Sequence, residues 1–228
     1  MNETNIMKML ERLGHPEYFE MLDFVENELG EKGTERPGSG KTEIAYSRFD
    51  HTKRVLAWAL RLYDRSERKD AIRLDELIIA TIFHDVGRSV SEIQKIPHAQ
   101  AGVPITKTYL EKMGYDAEKI EYICSLVAQH SDKKRMKEEG LDAGLLMLME
   151  ADLMDDMGAL GIVMDCMITE ARNPNAQFLD CYKHIESYTL RMQEEENPMT
   201  SPEGIAFWDE KTKLTRAFMD ALKQDIAI

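Results

Sequence analysis

Residues 77–88 read "LIIATIFHDVGR": an isoleucine-rich apolar run that ends in His84 and Asp85, followed by Val86, Gly87 and Arg88. A segment composed for burial should not finish on an imidazole and a carboxylate. An unpaired buried carboxylate is strongly disfavoured unless a partner or a metal ion compensates its charge. The doublet therefore asks for partners elsewhere in the chain.

Helical spacing identifies candidates, because residues three, four and seven apart share one helix face. His51 shares a face with Val55, Trp58 and Leu62. His130 follows Ile123, Leu126 and Val127, and Asp152 follows Leu145, Leu148 and Met149. Asp85 follows Ile78, Thr81 and Ile82, while His84 follows Leu77, Ala80 and Thr81. A lone core histidine is ordinarily just hydrogen-bonded. Several imidazoles and acids on the inward faces of four helices are most economically satisfied together, around one shared cation. The expectation is that Gly87 stops its helix and leaves His84 and Asp85 pointing the same way. His98, in "KIPHAQAG", is read two ways, as a residue at a helix start or as an exposed loop histidine. Pro104 sits awkwardly in the helix that follows. His15 and His184 lack comparable settings and read as surface or partly buried residues.

The same periodicity runs through nearly the whole chain, with no alternating strand pattern. It predicts helices over 3–13, 16–29, 48–65, 74–86, 99–113, 116–131, 141–156, 158–172, 175–194 and 202–225. Ser201 and Pro202 form a start signal for the last of these. The stretch "GEKGTERPGSGKTE", 30–43, reads as a linker. Its "GSGKT" shares the end of a phosphate-binding loop, but that motif requires glycine at the position held by Glu35, and no strand leads into it. A flexible loop is the better reading.

The chain has 228 residues, 43% of them hydrophobic, enough for a true core. Its 29 basic and 42 acidic residues give a net charge of −13, which disfavours broad binding to nucleic acid or anionic membranes. A local basic pocket can still hold a small anion. Cys124, Cys166 and Cys181 show no CxxC spacing and read as reduced core thiols. The N-terminus is too polar for a signal peptide, and no apolar run approaches a membrane span, so a cytoplasmic location is expected.

The order His51, His84-Asp85, Asp152, separated by helices, resembles the HD superfamily of metal-dependent phosphohydrolases. "FDHTKRVLAWALRLY" looks like its first-histidine helix and "ELIIATIFHDVGR" like its doublet helix. "HAQAGVPITKTYLEKMG" is similar to the helix of many members in which a glycine follows the histidine by four positions. "IEYICSLVAQHS" resembles the next histidine helix, and "LLMLMEADLMD" the one bearing the final aspartate. The likeness spans about residues 48–157, and the tail is only loosely similar to the C-terminal helix of small bacterial members.

The resemblance implies an all-α fold: a compact HD-domain helical bundle over 48–172, with an N-terminal helical extension and loop over 1–47 and C-terminal helices over 173–228 packing on the core. It implies His51, His84, Asp85 and Asp152 as ligands of one metal. His98 and His130 match the extra ligands of members with a second metal, in which the doublet aspartate bridges both. Such a donor set suits one or two divalent ions of iron, manganese, cobalt, nickel or zinc. A metal-activated hydroxide would then attack a phosphate ester of a small molecule such as a nucleotide.

Asp85 is the central catalytic candidate. Arg88, four positions after His84, is read either as a phosphate contact or as a structural ion pair. Lys133 and Lys134 have the same choice between an anion and a wet surface. Asp155 and Asp156 are read as helix-surface charge or as support for the ligands, and the methionines of "LLMLMEADLM" as adaptable core packing. Two other functions compete: a di-iron oxygenase of the same fold, and a non-catalytic metal- or ligand-binding regulatory module. Substrate identity and oligomeric state are not encoded in any readable motif.

Overall fold

The computed structural model describes residues 3–30 and 47–227. The linker reading for 30–43 therefore falls almost wholly outside the described residues. Those residues form helices and turns with no strand. In order they are α1 (Glu3–Leu13), α2 (Glu17–Leu29), α3 (Arg48–Arg65), α4 (Leu74–Phe83), α5 (Arg88–Gln94), α6 (His98–Lys112), α7 (Ala117–Gln129), α8 (Ala143–Asp155), α9 (Ala159–Arg172), α10 (Phe178–Ile185), α11 (Arg191–Glu195) and α12 (Pro202–Asp225). The all-α expectation holds, and most predicted helix ends lie within a few residues of the observed ones.

The chain divides into two compact units, with the described residues up to Ala151 in the first and those from Asp152 in the second. The first is built round α4. Every residue from Glu76 to Phe83 is buried, so this helix is covered on all sides, as its continuous apolar run requires. It packs against α2, α3 and α7, and α6 lies along α7. Local chemistry sets the ends of these helices. Ser47 caps α3 by accepting from the Asp50 amide at 3.1 Å, and Asp116 caps α7 by accepting from the Lys119 amide at 2.9 Å. Pro104 lies inside α6. The carbonyl it leaves without a helical donor belongs to Gln100, which is exposed to water.

Two features of the doublet segment differ from expectation. Helix α4 ends at Phe83, three residues early, and α5 follows at once after the turn 84–87. Gly87 does not act through conformational freedom, since its φ of −68° is open to any residue. It acts through space: an added Cβ would stand 2.1 Å from the His98 carbonyl oxygen and 2.3 Å from the Gly102 amide nitrogen. Gly102 faces it from α6, and its own Cβ would meet the Gly87 nitrogen at 3.3 Å. The turn thus lies directly on the first turn of α6.

The second unit contains α9 to α12. Ile162, Tyr182, Ile185 and Met219 form its buried core, with Cys166, Leu190, Leu222 and Ile226 packed round them. A π-helical stretch, Glu186–Leu190, joins α10 to α11. Ser201 caps α12 by accepting from the Gly204 amide at 2.9 Å, with Pro202 in its first turn, as the start signal indicated. The three thiols are free, but only Cys124 is buried. Cys166 and Cys181 are half-buried rather than core residues. No helix among the described residues is long and apolar enough to cross a membrane.

Candidate metal centre

His84 and His130 occupy equivalent positions, each immediately after the last residue of its helix, α4 and α7. At a helix end the carbonyl three residues back has no amide partner, and each imidazole uses it. Nδ1 of His84 stands 2.7 Å from the Thr81 carbonyl, and Nδ1 of His130 stands 2.7 Å from the Val127 carbonyl. A carbonyl only accepts, so Nδ1 carries the proton in both rings. In the neutral imidazole this leaves Nε2 as a bare donor atom.

The Nε2 atoms meet in pairs. That of His84 lies 3.4 Å from Nε2 of His51 on α3, and that of His98 lies 3.3 Å from Nε2 of His130. The rings form a chain from His51 to His84, His130 and His98, with successive centroids 5.4, 5.1 and 5.2 Å apart. Asp85 lies among them, 1% exposed. Its Oδ1 is 3.2 Å from His98 Nε2 and 3.9 Å from His130 Nε2, and its Oδ2 is 3.8 Å from His51 Nε2. One carboxylate oxygen faces each histidine pair.

Two cations complete the surroundings. Arg88 Nε donates to Oδ2 at 2.6 Å, and a guanidinium nitrogen of Arg48 lies 3.6 Å from the same oxygen. Of the two readings for Arg88, the ion pair is what the geometry displays. Arg48 was not singled out from the sequence. Its signal was there: a cation in the first turn of a helix opposes the helix dipole, and it precedes His51 by three positions, on the same face. Burial pushes the Asp85 carboxyl upward, but the charges of His84, Arg88, His51 and His98 outweigh it and hold the group well below the usual carboxylate range.

This donor set fits a divalent ion. Despite its charged neighbours, Asp85 Oδ1 is buried with no hydrogen-bond partner of acceptable geometry. Nitrogens on a tetrahedral ion at metal–nitrogen distances of 2.0–2.1 Å stand roughly 3.3 Å apart, close to both observed pairs. His84, Asp85 and His130 each present a ligand atom within 4.8 Å of the others. His51 and His98 join them through the contacts above, so five of the six residues singled out from the sequence converge in the first unit. Asp152, the sixth, follows Ala151 in α8 and is the first described residue of the second unit.

The remaining candidates are placed as follows. Lys133 donates to the Met149 carbonyl at 3.1 Å, and Lys134 is exposed. Asp155 is buried rather than on the helix surface, Asp156 is half-buried, and Met147 and Met149 pack in the core. Glu150, which the sequence reading passed over, is also buried. His15 pairs with Glu17 at 2.9 Å and His184 with Asp165 at 3.5 Å.

An all-helical domain with a buried histidine–aspartate cluster able to hold a metal ion defines a class that known proteins share. Residues 48–157 match the model of the HD domain, so the chain carries an HD domain over that span. No curated protein matches the sequence. Among solved structures, a "predicted HD superfamily hydrolase" from an uncultured Thermotogales bacterium is 17% identical, with a TM-score of 0.63, over 99% of both chains. Bacillus subtilis YpgQ is 17% identical, with a TM-score of 0.65, over 92% of this chain and 95% of its own. YpgQ in complex with ADP is 16% identical, with a TM-score of 0.59, over 92% and 97%. At such identities these likenesses establish the fold.

Proposed function

We propose that this protein is a metal-dependent phosphohydrolase that cleaves a phosphate ester of a small molecule, with nucleotides the favoured class. The observation that carries the reading is the division of Asp85, one carboxylate oxygen toward His51 and the other toward His98 and His130. His51, His84 and Asp152 would hold one divalent ion, His98 and His130 a second, and Asp85 would link them. Iron, manganese, cobalt, nickel and zinc all suit such donors. Bound there, the ions supply Lewis acidity toward a phosphoryl oxygen and the charge that makes hydroxide available near neutral pH.

The protein's own groups do the positioning. The Thr81 and Val127 carbonyls fix the tautomers of His84 and His130. Asp85 draws the ligands together, and burial keeps bulk water from competing with them. Arg48 and Arg88 share Oδ2 of Asp85, and their forked donors match the oxygens of a phosphate. That pair of cations favours an anionic ester over dioxygen as the substrate. The ADP in the YpgQ complex supports a nucleotide here. A cytoplasmic location accords with this chemistry.

Protein purified without chelators should contain up to two equivalents of metal and release phosphate from members of a nucleotide and phosphoester panel. Asp85→Ala should abolish release while circular dichroism shows the helices intact. Retained turnover in that variant with no metal by elemental analysis would sink the reading. So would ligand binding without turnover across the panel with several metals supplied.

A further inference from the structure

Helices α9 and α10 pack against each other, and two residue pairs define their register. His184 Nε2 on α10 lies 3.5 Å from Asp165 Oδ1 on α9. Ile162 and Ile185 meet in the same buried cluster. Cys166 lies one turn beyond Ile162, and Cys181 one turn before Ile185, so each thiol sits on the face its helix turns to the other. Cys181 neighbours the Cys166 thiol and pushes its pKa up, and both residues are half-buried, open to a small oxidant. No compact group of three or more potential metal ligands among the described residues includes either cysteine, which sets the pair apart from a metal site.

We propose that Cys166 and Cys181 are a dithiol that closes to an intramolecular disulfide on exposure to a peroxide, stapling α9 to α10. One sulfur attacks the peroxide O–O bond, becoming a sulfenic acid as the first water leaves. The second sulfur displaces the hydroxyl, forming the S–S bond and releasing the second water. The two cysteines lose two electrons and two protons, and hydrogen peroxide takes up both. Fourteen residues, 167–180, are enclosed by the bond. Cys124 is buried, with its thiol directed at the Val103 carbonyl at 4.0 Å, and it stays out of the reaction.

The test uses the full chain treated with hydrogen peroxide, quenched in denaturant with iodoacetamide, and analysed by intact mass and peptide mapping. The three free thiols should fall to one, the mass should drop by two hydrogens before alkylation, and a Cys166–Cys181-linked peptide should appear. Dithiothreitol should restore all three thiols. Cys166→Ser and Cys181→Ser should each give no linked peptide. Persistence of three free thiols, oxidation that stops at a sulfinic acid on one cysteine, or links between chains in place of the internal one would each overturn the proposal. None of these readouts involves phosphate release, so the outcome is independent of the proposed enzymatic function.

Discussion

The Gly87 Cα lies so close to the first turn of α6 that a single methyl group there would stand 2.1 Å from the His98 carbonyl oxygen. Backbone thus rests on backbone between the turn that presents His84 and Asp85 and the helix that presents His98. The histidine four positions before Gly102 is held against Asp85 by two glycines in contact.

Gly87→Ala should therefore damage both stability and the site. Neither backbone can yield the way the tip of a side chain can, and overpacking of this kind costs about 1–3 kcal/mol. Urea denaturation should show the loss, and elemental analysis should show fewer bound ions as His98 is pushed away. Gly102→Ala should be milder, because its nearest neighbours lie at 3.3 Å and include a Val127 methyl group.

Arg48→Ala and Arg88→Ala should each lower kcat/KM for a phosphate ester by roughly ten- to a hundredfold. That corresponds to one charge-assisted hydrogen bond of about 1.5–3 kcal/mol. Lysine at position 88 should recover only part of the loss, because it lacks the fork. Steady-state kinetics on metal-loaded protein checks both.

Ile82, fully buried in α4, should cost about 2–5 kcal/mol when changed to alanine. The cavity would open one turn below the doublet. Chemical denaturation measures the loss, and the variant should also bind metal less tightly.

Tyr18 donates to Asp75 Oδ1 at 3.0 Å and is 1% exposed. Tyr18→Phe should cost about 0.5–1.5 kcal/mol, read by thermal or urea melts. Burial and the neighbouring Asp75 push the phenol up beyond the range in which the native protein is expected to survive.

Cys166 supplies a pH-dependent prediction. Burial, then the Cys181 thiol and Asp165, push it from 9.0 to about 11. Below pH 9 the thiol is protonated in both the folded and the unfolded chain, and its contribution to stability is fully present. Between 9 and 11 the unfolded chain gives up the proton while the folded one keeps it, so stability falls as pH rises through that window. Iodoacetamide labelling of native Cys166 should correspondingly accelerate about tenfold per pH unit up to near 11. A labelling rate that levels off near pH 9 would contradict the shift.

Periodicity exposed the helices because each hides an apolar stripe. It misplaced the end of α4 and missed α5, since a seven-residue helix is too short to show a repeat. Arg48 carries no such mark, because it opens its helix and does not interrupt an apolar stripe. The Cys166–Cys181 pairing was invisible for a different reason: it depends on how two helices slide along each other, and the spacing of the cysteines in sequence carries no record of that.

The linear order of residues determined the all-helical class, the inward faces of His51, His84, Asp85 and His130, and the chemical character of any centre they build, because burial and side-chain type are local properties of a helix. Only the tertiary structure decided that four imidazoles pair off about one carboxylate, that two arginines share one of its oxygens, and that Gly87 serves by lacking a side chain. Those outcomes depend on distances between segments remote along the chain. Such distances are set by how whole helices pack, and no short stretch of residues contains them.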